Sequence, residues 1–108
     1  MLTAKQLITG SLLTDSITTI FTATAEETVL TRLWLTNTDT VDITVDLYIV
    51  PALASPSAAN MRLATVTIFP GLPLPFDTVE VLSIGDTIQA KASVTGKVAV
   101  SAPGWERS

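Results

Sequence analysis

Val41-Asp42-Ile43-Thr44-Val45-Asp46-Leu47-Tyr48-Ile49 alternates apolar and more polar side chains without a break. Successive side chains of a strand point to opposite faces, so this period-two run predicts a half-buried strand. Val41, Ile43, Val45, Leu47 and Ile49 line its inner face. Asp42, Thr44, Asp46 and Tyr48 line an outer face that is solvated or interfacial. Immediately upstream, Asn37-Thr38-Asp39-Thr40 is a turn built from residues that bond their own backbone. Before it, Thr28 to Thr36 alternates Val29, Thr31, Leu33 and Leu35 against Leu30, Arg32, Trp34 and Thr36. The two strands read as a hairpin, in which Arg32 and Asp46 become near cross-strand neighbours with Trp34 beside them.

Further out, Ser16 to Ala25 alternates as another strand and Glu26-Glu27 makes a charged turn. Pro51 to Asn60 reads as a loop and Met61 to Phe69 as a strand. Pro70-Gly71-Leu72-Pro73-Leu74-Pro75 interrupts any sheet, because proline removes ladder donors. Leu72, Leu74 and Phe76 are then apolar residues outside any regular element, capping the core or touching a neighbour. Strands over 77–82, 87–93 and 97–102 complete the set, with turns at Ser83-Ile84-Gly85-Asp86 and through Gly96. About seven strands with regularly spaced turns predict an all-β chain, a single antiparallel β-sandwich. The two longer crossovers favour a jelly-roll or Greek-key path over a meander. Residues 16–103 form the sandwich domain. Residues 1–15 are an N-terminal arm or edge segment, and a short helix also fits their weak periodicity. Residues 104–108 are a C-terminal tail carrying Trp105.

Composition points the same way. Thr, Val and Ile make up 36 of the 108 residues, and β-branched side chains pack well on a pleated sheet. Thirteen of the eighteen threonines fall in residues 1–50, which makes the first half the expected docking surface. Charged residues are only 15%, against roughly 25% in an average soluble domain, as suits a surface that faces other protein. A single domain of this size without cysteine is marginal alone, so association is an expected source of stability. The net charge is -4 and the six basic residues are scattered, so nucleic acid is not an expected partner. The N-terminal stretch has no continuous hydrophobic run of a signal peptide, and no segment has the length of a membrane span. Absence of cysteine fits assembly in a reducing compartment.

With no His or Cys, the chain lacks the usual general base, the thiolate nucleophile and the commonest transition-metal ligands. A Ser–Lys pair would have to use Lys5, Lys91 or Lys97, and the last two occupy outward positions of a hairpin. Asp42 and Asp46 share a strand face, but four residues separate them by roughly 13 Å, beyond the spacing of glycosidase carboxylates. Asp15, Asp39, Asp77 and Asp86 fall at strand ends, where Asp caps backbone. Asp39 with Asp42, or Asp77 with Glu80, offers oxygens to calcium without an EF-hand loop. We therefore expect no enzyme, no catalytic or metal residues and no cofactor. The candidates are for contact. Arg32, Trp34, Asp46 and Tyr48 fit a subunit interface, a second core layer or a sugar platform. Leu2, Leu7, Leu12 and Leu13 of the arm, Leu72 and Leu74 of the crossover, and Trp105 ask for a neighbouring surface.

Leu82-Ser83-Ile84-Gly85-Asp86-Thr87-Ile88-Gln89-Ala90-Lys91-Ala92-Ser93, followed by Val98-Ala99-Val100-Ser101, is similar to a pattern in small virion proteins of tailed bacteriophages. There an L-x-x-G-D-x-I-x-A-x-A-S hairpin precedes a final V-x-V-S strand. Leu33-Trp34-Leu35-Thr36-Asn37-Thr38 with Val41-Asp42-Ile43-Thr44-Val45 resembles their first central hairpin. The likeness spans roughly residues 16–103, and its motifs mainly record hairpin geometry. Where that pattern often ends in G/S-x-E, this chain has Ala102-Pro103-Gly104-Trp105-Glu106, which leaves the docking of its tail open. The resemblance implies a non-enzymatic β-sandwich subunit of the head, neck or tail. It further implies a trimer or hexamer in contact with major capsid or tail proteins, located in the virion and assembled in the host cytoplasm. Capsid decoration or cement is the favoured role. The alternatives are a tail or neck adaptor and a carbohydrate- or cell-surface-binding module.

Overall fold

A computed structural model describes residues 2–77 and 79–107. Met1 and Ser108, the outer ends of the expected arm and tail, and Thr78, within the expected strand 77–82, lie outside the described residues. The alternating run at 41–49 forms most of β5 (Ile43–Val50), with Ile43, Val45, Leu47 and Ile49 buried. Beside it β9 (Thr87–Ala92) repeats the pattern, and the register sets Val45, Leu47 and Ile49 next to Ala92, Ala90 and Ile88 on one inner face. With β6 (Met61–Ile68) and β2 (Thr18–Thr22), these form a four-stranded sheet in the order β2-β9-β5-β6.

The second sheet has six strands: β1 (Leu2–Leu12), β3 (Glu27–Leu30), β4 (Leu33–Asn37), β7 (Pro73–Phe76), β8 (Glu80–Ser83) and β10 (Val98–Arg107). The long β10 lies at its centre. β1 runs along one of its edges. On the other, β4 pairs with Val98–Ser101 and β3 with Gly104–Arg107. β7 then pairs β4, and β8 pairs β3. The six strands thus fill four columns, and the chain passes back and forth between two four-column antiparallel sheets. This is an eight-stranded jelly roll whose third and sixth strands are broken in two. The all-β sandwich expected from the sequence is the fold observed. Its core is apolar, with Leu30, Leu33, Leu35, Val98 and Val100 facing Ile43, Val45, Leu47 and Ile88, all buried. Each such side chain contributes about 1.5–3 kcal/mol.

The breaks line up across the sheet. Pro103 sits inside the central strand and has no N–H to give its neighbours. Opposite it on one side the β3/β4 ladder parts at Thr31 and Arg32, and Thr31 donates through both N and Oγ1 to the Pro103 carbonyl. On the other side β1 slips by one residue between Gln6 and Ile8, so that Leu7 and Ile8 are both buried. Leu7 fills the place that a side chain on residue 104 would occupy. A Cβ at Gly104 would collide with the Leu7 side chain and with the Val29 carbonyl oxygen.

Three sequence expectations change, and one open alternative is resolved. The hairpin between 28–36 and 41–49 does not form, because β4 and β5 belong to different sheets. Alternation is the same whether a turn folds a strand back in its sheet or carries it across the sandwich. Here Asn37, almost fully buried, decides: its side-chain amide donates to the carbonyls of Val41 (2.7 Å) and Ile68 (2.9 Å), and its Oδ1 accepts from the Asp39 N–H (2.8 Å). The Gly71 N–H reaches the Asn37 carbonyl, so one side chain knots two crossovers at one end of the sandwich. Residues 2–12 are an edge strand of the sheet, the second form expected for residues 1–15 and not a free arm. The segment expected as a tail from 104 is the second half of β10 through Arg107. Pro73 and Pro75 sit in edge strand β7, alternating with Leu74 and Phe76, whose N–H groups can face β4 while the prolines face outward.

Replacing Asn37 by Asp removes two buried donors and sets a charge against two carbonyls. Urea unfolding should show a loss of about 3 kcal/mol at unchanged m-value. Gly104→Ala should cost about 2 kcal/mol or more from overpacking. A neutral result would mean that Leu7 does not occupy the space over Gly104.

Candidate functional site

Alternation along β10 buries Val98, Val100, Ala102 and Gly104 and turns Ala99, Ser101, Pro103, Trp105 and Arg107 to the outside. Cross-strand register extends these into rows across the six-stranded sheet. Ala4, Trp105, Val29 and Val81 form one row, entirely apolar. Thr9, Ser101, Trp34 and Pro75 form another, and Leu12, Ala99, Thr36 and Pro73 a third. Leu2, Arg107, Glu27 and Ser83 close the far end. Leu2 and Val81 are each 59% exposed and Trp105 42%. One row is wholly apolar and the others set Leu12, Trp34, Pro73 and Pro75 among small hydroxyl residues, and exposed apolar groups gathered in this way mark contact surfaces.

The few charges on this face are paired within the chain. Arg107 lies 3.7 Å from Glu26 and 3.6 Å from Glu27. Arg32 pairs with Asp77, each sitting where its strand column is broken, so this ion pair bridges the two breaks. The Arg32 guanidinium also lies 5.3 Å from the Trp34 ring centroid, a cation–π distance.

The opposite face, on the four-stranded sheet, is polar around Thr44 and Asp46, and Tyr48 and Val50 further along β5 are buried. Asp46 pairs across to Lys91 and Thr44 to Thr67, with Thr19, Thr22, Thr87 and Gln89 alongside. A half-open depression of about 200 Å³ there is lined by Asp15, Thr44, Asp46, Lys91, Ala92 and Ser93. The Asp46 carboxylate is occupied, accepting from the Thr65 N–H (2.6 Å) and lying 3.8 Å from Lys91. Among the described residues, no three metal-capable side chains gather, and no helix is long and apolar enough to cross a membrane.

The candidates therefore separate. Leu2, Leu12, Trp34 and Trp105 share the outer face of the six-stranded sheet, with Arg32 at its break. Leu7 and Leu13 are core residues, and Leu74 packs against the core. Leu72 is exposed in the crossover before β7, beside the Asn37 knot. Asp46 and Tyr48 lie on the other sheet, so the expected Arg32–Trp34–Asp46–Tyr48 cluster does not exist and Trp34 and Tyr48 make no common platform. Tyr48 is buried. Ala4, Val29 and Val81 were not singled out from the sequence. Their signal was the alternation of 104–107 continuing past Pro103, which would have placed Trp105 in a strand and its neighbours in a row.

Neither a protein-family model nor a curated protein sequence matches this chain. Among solved structures, it is similar to a chain in a structure of infectious bursal disease virus, Gx strain, at 14% identity and a TM-score of 0.48. That likeness covers 97% of this chain and 31% of the other, so the chain spans about a third of its length.

A double-mutant cycle checks the geometry. Arg32 and Asp77, both exposed, should couple by up to about 1 kcal/mol, whereas Arg32 and Asp46 should show no coupling. Coupling in the second pair would restore the hairpin that the fold replaces.

Proposed function

We propose that this chain is a non-enzymatic structural subunit of a virion, of the tailed-phage kind its sequence resembles, acting as a capsid decoration or cement protein. The observation that carries this reading is the outer face of the six-stranded sheet, with Trp105, Val81, Leu2 and Leu12 presented together and its charges already paired. Such a surface gains free energy by being covered by protein, and it offers little to a small polar ligand. Jelly rolls serve viral capsids and lectins alike, so the fold supports the reading only by analogy. The rest of the support comes from the low charge content and the L-x-x-G-D-x-I-x-A-x-A-S likeness at Leu82–Ser93. A subunit of this kind works by filling and bridging surfaces, for which a rigid sandwich with one sticky face suffices.

Quantitative mass spectrometry of gradient-purified particles from the source tests the proposal. The chain should co-purify in a fixed ratio to the major shell protein. Particles devoid of it, or a soluble glycan bound tightly and lost on Trp34→Ala, would overturn the assignment.

A further inference from the structure

We infer that the surface covering the outer face of the six-stranded sheet is the same face of a second copy, the two sheets stacking as an isologous pair. This rests on the protein-contact reading above and names its partner.

The first argument is area. Four strand columns about 4.8 Å apart and about ten residues long at roughly 3.4 Å each give a footprint near 650 Å² per copy. A stacked pair would then bury about 1,300 Å² in total, within the range of stable specific interfaces. The second is charge. The chain carries a net -4, yet on this face Arg107 is held by Glu26 and Glu27, and Arg32 by Asp77. Two like-charged copies therefore meet here with the least repulsion, and a strongly charged partner would find nothing to pair with.

The third argument is shape. Sheet extension edge to edge is discouraged on one flank by Pro73 and Pro75 in β7, and on the other by two register shifts in β1, so the faces remain for association. A two-fold axis lying in the interface across Pro103 carries residue 105 of β10 onto residue 101. Bulky Trp105 then meets Ser101 of the second copy, and Leu2 meets its Leu12, large against small at the centre and apolar against apolar at the flank. That self-complementarity is what an isologous contact requires.

Sedimentation equilibrium of the full chain across micromolar to millimolar concentration tests this. The wild type should reach twice 11.4 kDa. Trp105→Glu should weaken the pair by about tenfold or more, since it buries an unpaired charge at the centre. Val81→Lys, on a well-exposed position that leaves the fold intact, should do the same if Trp105→Glu fails to fold. Gln89→Glu on the opposite sheet should change nothing. A wild type that stays monomeric at millimolar concentration, a pair indifferent to both face substitutions, or one dissolved by Gln89→Glu would each overturn the inference. A monomer that still co-purifies with particles would overturn the pairing alone and leave the virion role standing.

Discussion

A proline inside a central strand leaves one neighbour a donor short, and the irregularities of the larger sheet lie along the line that crosses Pro103. The column beside it, β3 and β4, parts at Thr31 and Arg32, and in the next column β7 ends at Phe76 and β8 begins at Glu80. On the far side β1 takes in an extra residue, and the inserted Leu7 turns inward over Gly104. The Pro103–Gly104 pair thus supplies both the missing donor and the missing side chain. A line of irregularity crosses the sheet without opening it, because Thr31 satisfies the Pro103 carbonyl and Arg32 with Asp77 closes the outer surface over it.

That line also sets what the two faces can do. Beyond it, β10 carries Trp105 outward in register with Ala4, Val29 and Val81, where a chain ending its strand at Pro103 would have left the tryptophan on a free tail. On the four-stranded sheet the outward positions of β9 and of the first half of β5 fall to Thr, Gln and the Asp46–Lys91 pair, which keep their water, while Tyr48 and Val50 at the far end of β5 are buried. The sandwich is therefore asymmetric: one hydroxylated, charged face and one apolar face with its charges neutralised internally. The Asn37 knot ties the end where two crossovers join these sheets.

The sheet elements with clean alternation were legible in the sequence. β5 and β9 follow the period-two reading, with Ile43, Val45, Leu47, Ile88 and Ala90 inward, but Val41, read as the first inward residue, is exposed ahead of β5. What local pattern could not carry was pairing. Alternation in 33–37 and 43–50 is equally consistent with one sheet or two, and only the reach of Asn37 to Ile68, thirty-one residues on, separates the cases. Prolines misled at Pro73 and Pro75, since the donor they lack matters only if a neighbour needs it, and neighbours are a property of the fold. Half of the contact face was visible as isolated large apolar residues, Leu2, Leu12, Trp34 and Trp105. The rest, Ala4, Val29 and Val81, becomes meaningful only through register. The threonine-rich first half is not a docking surface as such, for its residues are shared between both sheets and the contact face draws on both ends of the chain.

Trp34 and Trp105 are the two tryptophans of the chain, and both lie on the outer face of the six-stranded sheet. Acrylamide quenching of tryptophan fluorescence, followed as the chain passes from dilute solution into its assembled state, therefore reads that face directly. Coverage of the face predicts a marked fall in quenching and a blue-shifted emission on assembly. Tryptophans that remain as quenchable in the assembled state as in the dilute one would contradict the account.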